Sequence, residues 1–349
     1  MQTIPFFEQE LKETPIQKLN LKAGNNEIYI KRDDMIPFSF GGNKARKAAE
    51  FYRDMIKTDT DVIVTYGSNS SNHCRIIANM ASAMGIHCHV ISPEENRTVL
   101  YNTRLVEQFG ATIETCPVTE VSSVIDRRLA AYRNEGRHPY FIMGGGHGNL
   151  GTEAYVKAYR EIGSQEEKEQ LHFDYIFHAS GTGATQAGLV CGKLLEKIPS
   201  ERQIVGISIA RTEERGREVV KESIRDYLGE QFETLYRESD LIFTDHYRCD
   251  GYGNYSADVT QTIDRMMREE GIPMDTTYVG KAFTGMLQYL KDNRITDQKL
   301  LFIHTGGTPL FFDRLGKEEN DNDAGIWRKY PLCYISFSCR FNGSLLFIR

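Results

Sequence analysis

Hydrophobic positions along the chain fall into short apolar runs separated by stretches with a helical period. Asp61–Tyr66 (DVIVTY) reads as a strand buried on both faces, and Asn72–Met84 follows it with helical spacing. Apolar residues near Val90, a helical stretch over Val99–Phe109, the run Thr112–Thr115, a helix over Val121–Asn134 and YFIM at Tyr140–Met143 continue the alternation. A second series opens with a helix from Thr152. It continues through DYIFHA at Asp174–Ala179, a helix from Thr185 to Lys197, QIVGISIA at Gln203–Ala210 and KLLFIH at Lys299–His304. Strands of this length alternating with helices predict an α/β protein with parallel sheet covered on both faces.

Glycines gather where strand-like runs hand over to helical ones: Gly41-Gly42, Gly67, Gly144–Gly146, Gly181/Gly183 and Gly306-Gly307. Each alone is a tight turn. In an open parallel sheet, however, ligands bind beyond the carboxyl ends of the strands, so five such junctions predict one shared cleft.

The chain has 349 residues, enough for two domains at about 150 residues each. Its 40% hydrophobic and 26% charged composition excludes bulk disorder and coiled coil. A net charge of −6 without a basic block argues against a nucleic-acid partner, since phosphate neutralisation supplies most of that affinity. No apolar run approaches the roughly 18 residues of a membrane span. MQTIPFFEQELKE lacks the layout of a signal peptide. Seven scattered cysteines with no C-x-x-C suit a reducing compartment, so a cytoplasmic location is expected.

GTGAT at Gly181–Thr185, after a strand and before a helix, has the makings of an anion cradle: small residues, backbone N–H groups and two hydroxyls. No lysine follows it, so it is not a nucleotide-triphosphate loop, and a phosphate monoester fits better. Gly146-x-Gly148-x-x-Gly151 satisfies the dinucleotide fingerprint, but no strand ending in an acidic residue follows at the required distance. Lys44, in FGGNKARK, is either a solvated lysine or an amine aimed into a cleft by the preceding glycines, where desolvation lowers its pKa. A lysine able to form a Schiff base and a phosphate cradle together point to pyridoxal phosphate. Ser71 suits a helix N-cap, and Asn72 suits donation to a ligand oxygen. His73 and Cys74 are helix neighbours and do not face each other. His87-x-His89 lacks a third ligand, so no metal is expected. Tyr252 and Tyr278 are two of 18 tyrosines, marked only by flanking glycines.

Taken in order, IKRDDMIPFSFGGNKARK, VTYGSNSSNHCR, GGGHGNLGTEAY, SGTGATQAG, GYGNYSADV, TTYVGKAFTGM and FIHTGGTP resemble the fold-type II pyridoxal phosphate enzymes, the tryptophan synthase β class. Within it they are most similar to the group of D-cysteine desulfhydrase and 1-aminocyclopropane-1-carboxylate (ACC) deaminase, from about Pro15 to Phe312. The resemblance implies that Lys44 bonds the cofactor aldehyde, that Asn72 binds its 3′-oxygen, and that Ser180 with Gly181, Thr182, Gly183, Ala184 and Thr185 holds its phosphate. Ser71, Tyr252 and Tyr278 would act on the substrate, and GGGHGNLG would be a substrate-side loop, with His147 where a small residue is usual. ACC deaminases of this kind carry a glutamate directly after the tyrosine; here Val279 stands there. Thr305 would meet the pyridine nitrogen with a neutral hydroxyl instead, as in the desulfhydrases.

The expectation is therefore a two-domain α/β enzyme. Residues 1–44 with 144–316 would form a large cofactor-binding domain and residues 45–143 a small one. The reaction would be α,β-elimination on a small amino acid, D-cysteine first, with ACC or another β-substituted amino acid as alternatives. A non-catalytic binder of a phosphate ligand is the reading from a different class. Relatives of this fold are often dimers, so a homodimer is expected. Residues 317–349 depart from the pattern: a polar break, Lys317–Asp323, precedes an aromatic tail with the sole tryptophan, Trp327. An added hairpin, an oligomer contact and appended sequence all fit that tail, and activity is expected to survive truncation after about Gly316.

Overall fold

A computed structural model describes residues 2–94, 99–197 and 200–321, with side chains as far as Leu315. The aromatic tail with Trp327 lies outside these residues. Among those described, ten strands form two sheets. The larger has the order β1 (Ile16–Lys18), β2 (Glu27–Lys31), β10 (Lys299–Ile303), β7 (Tyr175–Ser180), β8 (Gln203–Ser208), β9 (Ile242–Thr244), parallel throughout except for β1 against β2. The smaller is wholly parallel, in the order β5 (Thr112–Cys116), β4 (His87–Pro93), β3 (Val62–Tyr66), β6 (Pro139–Ile142).

Alternation along each strand explains why both faces are covered, because successive side chains point to opposite sides. In β7, Ile176 joins Tyr155, Leu189 and Val220 in one apolar layer, while Phe177 joins Ile263, Phe283 and Met286 in the other. Leu301 and Leu300 of β10 divide in the same way. The small sheet repeats the arrangement, with Ile63 and Val64 of β3 in separate layers. At about 1.5–3 kcal/mol for each large side chain removed from water, these four layers are the main drive to fold.

The pattern of apolar positions located all four strands of the small sheet and the inner strands β7, β8 and β10 of the large one, and missed the large sheet's edges. β1 and β9 have three residues each and carry too little periodicity to register. β2 was visible only as part of the IKRDD motif, yet it pairs with β10 in the middle of the large sheet. The helices Glu213–Leu228, Ala257–Glu270 and Val279–Asp292 complete the coat. The polar break expected at Lys317–Asp323 begins inside a helix, since Thr308–Asp321 includes its first five residues. Lys and Glu are good helix formers, and no proline stops the turn.

Candidate active site

The carboxyl ends of β3, β6, β7, β8 and β10 open onto one cavity of about 540 Å³. Lys44, Ser71, Asn72, Ser180, Gly181, Thr182, Gly183, Thr185, Tyr252, Tyr278 and Thr305 all line it, so residues far apart in the chain share one wall. Ala184 does not: it is fully buried at the start of the helix Ala184–Leu194. Gly144 and Gly145 reach the lining, whereas His147 and Val279 stay off it. Val279 is instead fully buried in the apolar layer with Phe283.

Lys44 owes its place to the turn before it. Gly42 has φ of +96°, and a Cβ there would lie 2.4 Å from the Thr305 carbonyl oxygen. Only glycine lets the two backbones meet so closely. The Gly42 N–H donates to the Asp33 carbonyl (2.7 Å) and the Asn43 N–H to the Thr305 carbonyl (3.1 Å), fixing the first turn of the helix Asn43–Met55. Behind it, the fully buried Asp33 carboxylate accepts from Arg46 Nη2 (2.7 Å) and Tyr155 Oη (2.8 Å). Lys44 itself is half-buried, and loss of water lowers its pKa to about 8.

Facing Lys44 is the turn after β7. Gly183 has φ of +102° and leads into the helix Ala184–Leu194, whose unpaired N–H groups favour an anion. The Asn43 side chain donates to Thr185 Oγ1 (3.1 Å), and Arg211 donates to the Gly181 carbonyl. The Ser180 hydroxyl donates to Gln186 Oε1 (3.0 Å), which commits its proton away from the cavity.

The third wall is the start of the helix Asn72–Met84. Ser71 caps it, its Oγ accepting the Cys74 N–H at 3.1 Å, so the hydroxyl proton is left to donate. Asn72 Oδ1 accepts from Asn102 Nδ2 (2.9 Å) and Arg75 Nη2 (3.2 Å). The amide orientation assigned by this network leaves Nδ2 as the donor that Asn72 can offer. Tyr252 and Tyr278 complete the enclosure with their hydroxyls 2.5 Å apart, and Tyr252 also lies 2.8 Å from both Ser68 Oγ and Ser70 Oγ. Burial, and then the neighbouring Tyr252, hold the Tyr278 hydroxyl well above the ordinary tyrosine pKa.

An unusual balance of charge tests which ligand this cavity suits. Besides Lys44, Lys47 is fully buried with only the Gly145 carbonyl as acceptor (3.2 Å), and burial pushes its pKa well down. Arg75 is also fully buried, lowered to about 9 by burial, and its Nε has no hydrogen-bond partner. Among the described residues none of these three pairs with a carboxylate. A glycine-lined helix start that shares the cavity with the Lys44 amine suits a phosphorylated aldehyde. The residues present therefore fit pyridoxal phosphate.

Comparison with known proteins agrees. The family model described as pyridoxal-phosphate dependent enzyme matches residues 7–306. The chain belongs to the pyridoxal-phosphate-dependent enzyme family. Pyridoxal phosphate is its cofactor. A D-cysteine desulfhydrase of Klebsiella pneumoniae subsp. pneumoniae is 32% identical over 310 residues, covering 86% of this chain and 93% of that protein. A solved structure of an ACC deaminase homologue superposes with a TM-score of 0.77 at 30% identity, over 88% of this chain and 94% of that one. An O-ureido-L-serine synthase shares the fold at 15% identity, with a TM-score of 0.65 over 91% and 96% of the two chains. The expected family, fold class and cofactor all stand. No described helix is long and apolar enough to cross a membrane.

Sequence reasoning passed over several residues of this pyridoxal-phosphate enzyme that the fold brings to the site. Asn43 and Lys47 flank the lysine that drew attention and were legible in the same motif. Asn102 gave no local signal: it sits in the helix Tyr101–Gln108 and reaches back to the Ser70 carbonyl (2.9 Å) as well as to Asn72. Asp275 likewise became visible only through its partners. The fully buried carboxylate accepts the N–H groups of Thr277 (2.8 Å), Tyr278 (2.7 Å) and Val279 (3.1 Å).

Proposed function

We propose that this enzyme eliminates the β-substituent of a small amino acid, with D-cysteine as substrate and pyruvate, sulfide and ammonia as products. The observation that carries the reading is Lys44, an amine brought by burial to a pKa of about 8 and set across one cavity from the Gly181–Thr185 turn. The likeness to a D-cysteine desulfhydrase over most of both chains supports the choice of substrate.

Pyridoxal phosphate, when bound, supplies an aldehyde for the substrate amine and a ring that withdraws electrons from the α-carbon. Lys44 would hold the aldehyde and accept the substrate's α-proton; its lowered pKa keeps a useful share of the amine neutral near pH 7. Gly181–Thr185 would hold the phosphate, with the helix start supplying positive potential and the Lys47 amine lying behind Gly145. Asn72 would donate its amide N–H to the ring oxygen, and Thr305 would offer a hydroxyl to the ring nitrogen. Ser71 would donate a hydrogen bond from its free hydroxyl to the substrate carboxylate. The Tyr252–Tyr278 pair holds a proton for the departing sulfur.

A second reading, ACC deaminase, has in its favour the 30% identical structural relative. Position 279 speaks against it. The buried valine brings no carboxylate to the ring, and a neutral hydroxyl at Thr305 does not fix a proton on the ring nitrogen. Such a site favours expelling a good leaving group such as thiolate over opening a cyclopropane.

The test is to purify the protein with pyridoxal phosphate and follow its visible absorbance, sulfide and oxo-acid release. The reading predicts a coloured protein that loses colour in Lys44→Ala and yields sulfide from D-cysteine but not L-cysteine. Release of 2-oxobutanoate from ACC at a comparable rate would favour the second reading, and a colourless protein would remove both. The same reading takes residues 1–44 with 144–316 as one domain and 45–143 as another, with a homodimer in the cytoplasm as the working form. Free thiols at Cys74, Cys88, Cys116, Cys191 and Cys249 support a reducing compartment.

A further inference from the structure

Two buried charges of opposite sign flank the start of the helix Val279–Asp292, and neither lines the cavity. Asp275 grips the backbone of Thr277, Tyr278 and Val279, as described above. Lys281, also fully buried, donates to the carbonyls of Gly251 (2.7 Å) and Ile209 (3.1 Å). Gly251 directly precedes Tyr252, and Ile209 belongs to the cavity wall beyond β8. One helix start thus holds the backbone of one tyrosine through a carboxylate and the loop of the other through an ammonium. We infer that Lys281 and Asp275 are positioning residues whose task is to bring the Tyr252 and Tyr278 hydroxyls together at the cavity.

The physical argument is one of cost. A lysine buried at full depth gives up its hydration for two carbonyl bonds, which an apolar side chain would avoid. What those bonds secure is the loop Arg248–Tyr255, where Cys249, Gly251 and Gly253 all have positive φ and Tyr252 is 39% exposed. A hydroxyl pair at 2.5 Å tolerates little displacement before the bond is lost.

This inference rests on the proposed role of the tyrosines, so its test separates the two. Lys281→Met, Tyr252→Phe and the double variant are compared in kcat/KM, and the Tyr278 Cζ resonance is followed in ¹³C-tyrosine-labelled protein without cofactor. Lys281→Met is expected to lower kcat/KM by about 10- to 100-fold, the scale of a displaced catalytic group. Adding Tyr252→Phe should then cost little more, and both single variants should move the Tyr278 resonance in the same direction. Independent, multiplicative losses, or an unmoved resonance in Lys281→Met, would overturn the positioning role. If Lys281→Met does not fold, the near-isosteric Asp275→Asn with Tyr278→Phe provides the same cycle, and additivity there would overturn it equally. A wild-type protein that binds no pyridoxal phosphate defeats the proposed function, while the resonance in the cofactor-free protein still decides this point.

Discussion

The side-chain amide of Asn43 donates to the hydroxyl of Thr185 across 3.1 Å, joining residues 142 positions apart in the chain. One is the neighbour of Lys44 and the other ends the glycine turn opposite. The bond therefore sets the amine and the anion cradle in register before any ligand arrives, and such preorganisation spares the cost of ordering them on binding.

Asn43→Ala should weaken pyridoxal phosphate binding by about fivefold, the equivalent of roughly 1 kcal/mol for one buried hydrogen bond. Titration of the cofactor-free protein by visible absorbance measures it. An unchanged Kd would mean that the cradle and the lysine are aligned by the backbone alone.

Lys44 has a folded-state pKa of about 8, against 10.5 for a free lysine. Its neutral, reactive fraction grows as pH rises towards 8 and levels off above it. The rate at which cofactor-free protein takes up pyridoxal phosphate should follow that curve, once the cofactor's own titration is subtracted. A lysine in bulk water would instead keep accelerating towards pH 10.

Lys47→Met should raise the Kd for pyridoxal phosphate while leaving that for pyridoxal nearly unchanged, since a phosphate beyond Gly145 would draw a proton onto this buried amine, whose pKa burial otherwise holds well down. About tenfold is expected, in the range of one charge-assisted hydrogen bond. Equal losses for the two ligands would assign Lys47 to folding.

Burial pushes the Asp275 carboxyl up to about 6 against the pull of its three backbone N–H groups. The folded protein thus holds this proton more tightly than the unfolded chain does. The group's favourable contribution is complete below 3.8 and is lost as pH rises through about 6. Comparing thermal stability across that window, Asp275→Asn should gain on the wild type as pH rises, by a few kcal/mol on the scale of about 1.4 kcal/mol per unit. A constant difference between the two would contradict the buried carboxylate.

All residues that line the cavity fall between Asn43 and Thr305. A chain ending at Asp321, the last described residue, should keep kcat/KM within about twofold of the full chain, a difference of less than about 0.5 kcal/mol. Folded but inactive protein would give the tail a role in the site.

How much of this was legible without coordinates depends on the range of the signal. The inner strands β3, β7, β8 and β10 stood out because burial on both faces demands an unbroken apolar run. Lys44 and the Gly181–Thr185 turn could be read because each carries its chemistry within five or six consecutive residues. Ser180 shows the limit of such reading: its hydroxyl proton goes to Gln186, and nothing in the local motif distinguishes that from a bond to a ligand. Asn102, Lys281 and Asp275 escaped for a related reason, being a polar residue on a helix, a lysine and an aspartate with no motif around them.

The sequence by itself determined the α/β class and the two series of strands and helices, and it singled out the proposed lysine and anion-binding turn, since these follow from local periodicity and from the backbone freedom of glycine. Only the tertiary structure decided which polar groups are stripped of water and which find partners. Burial and pairing depend on residues from distant parts of the chain, as Asn43 with Thr185, Asn102 with Asn72, and Lys281 with Ile209 and Gly251 demonstrate. The same loss of water brings Lys44 down to a reactive pKa, and no inspection of its neighbours in sequence could have measured it.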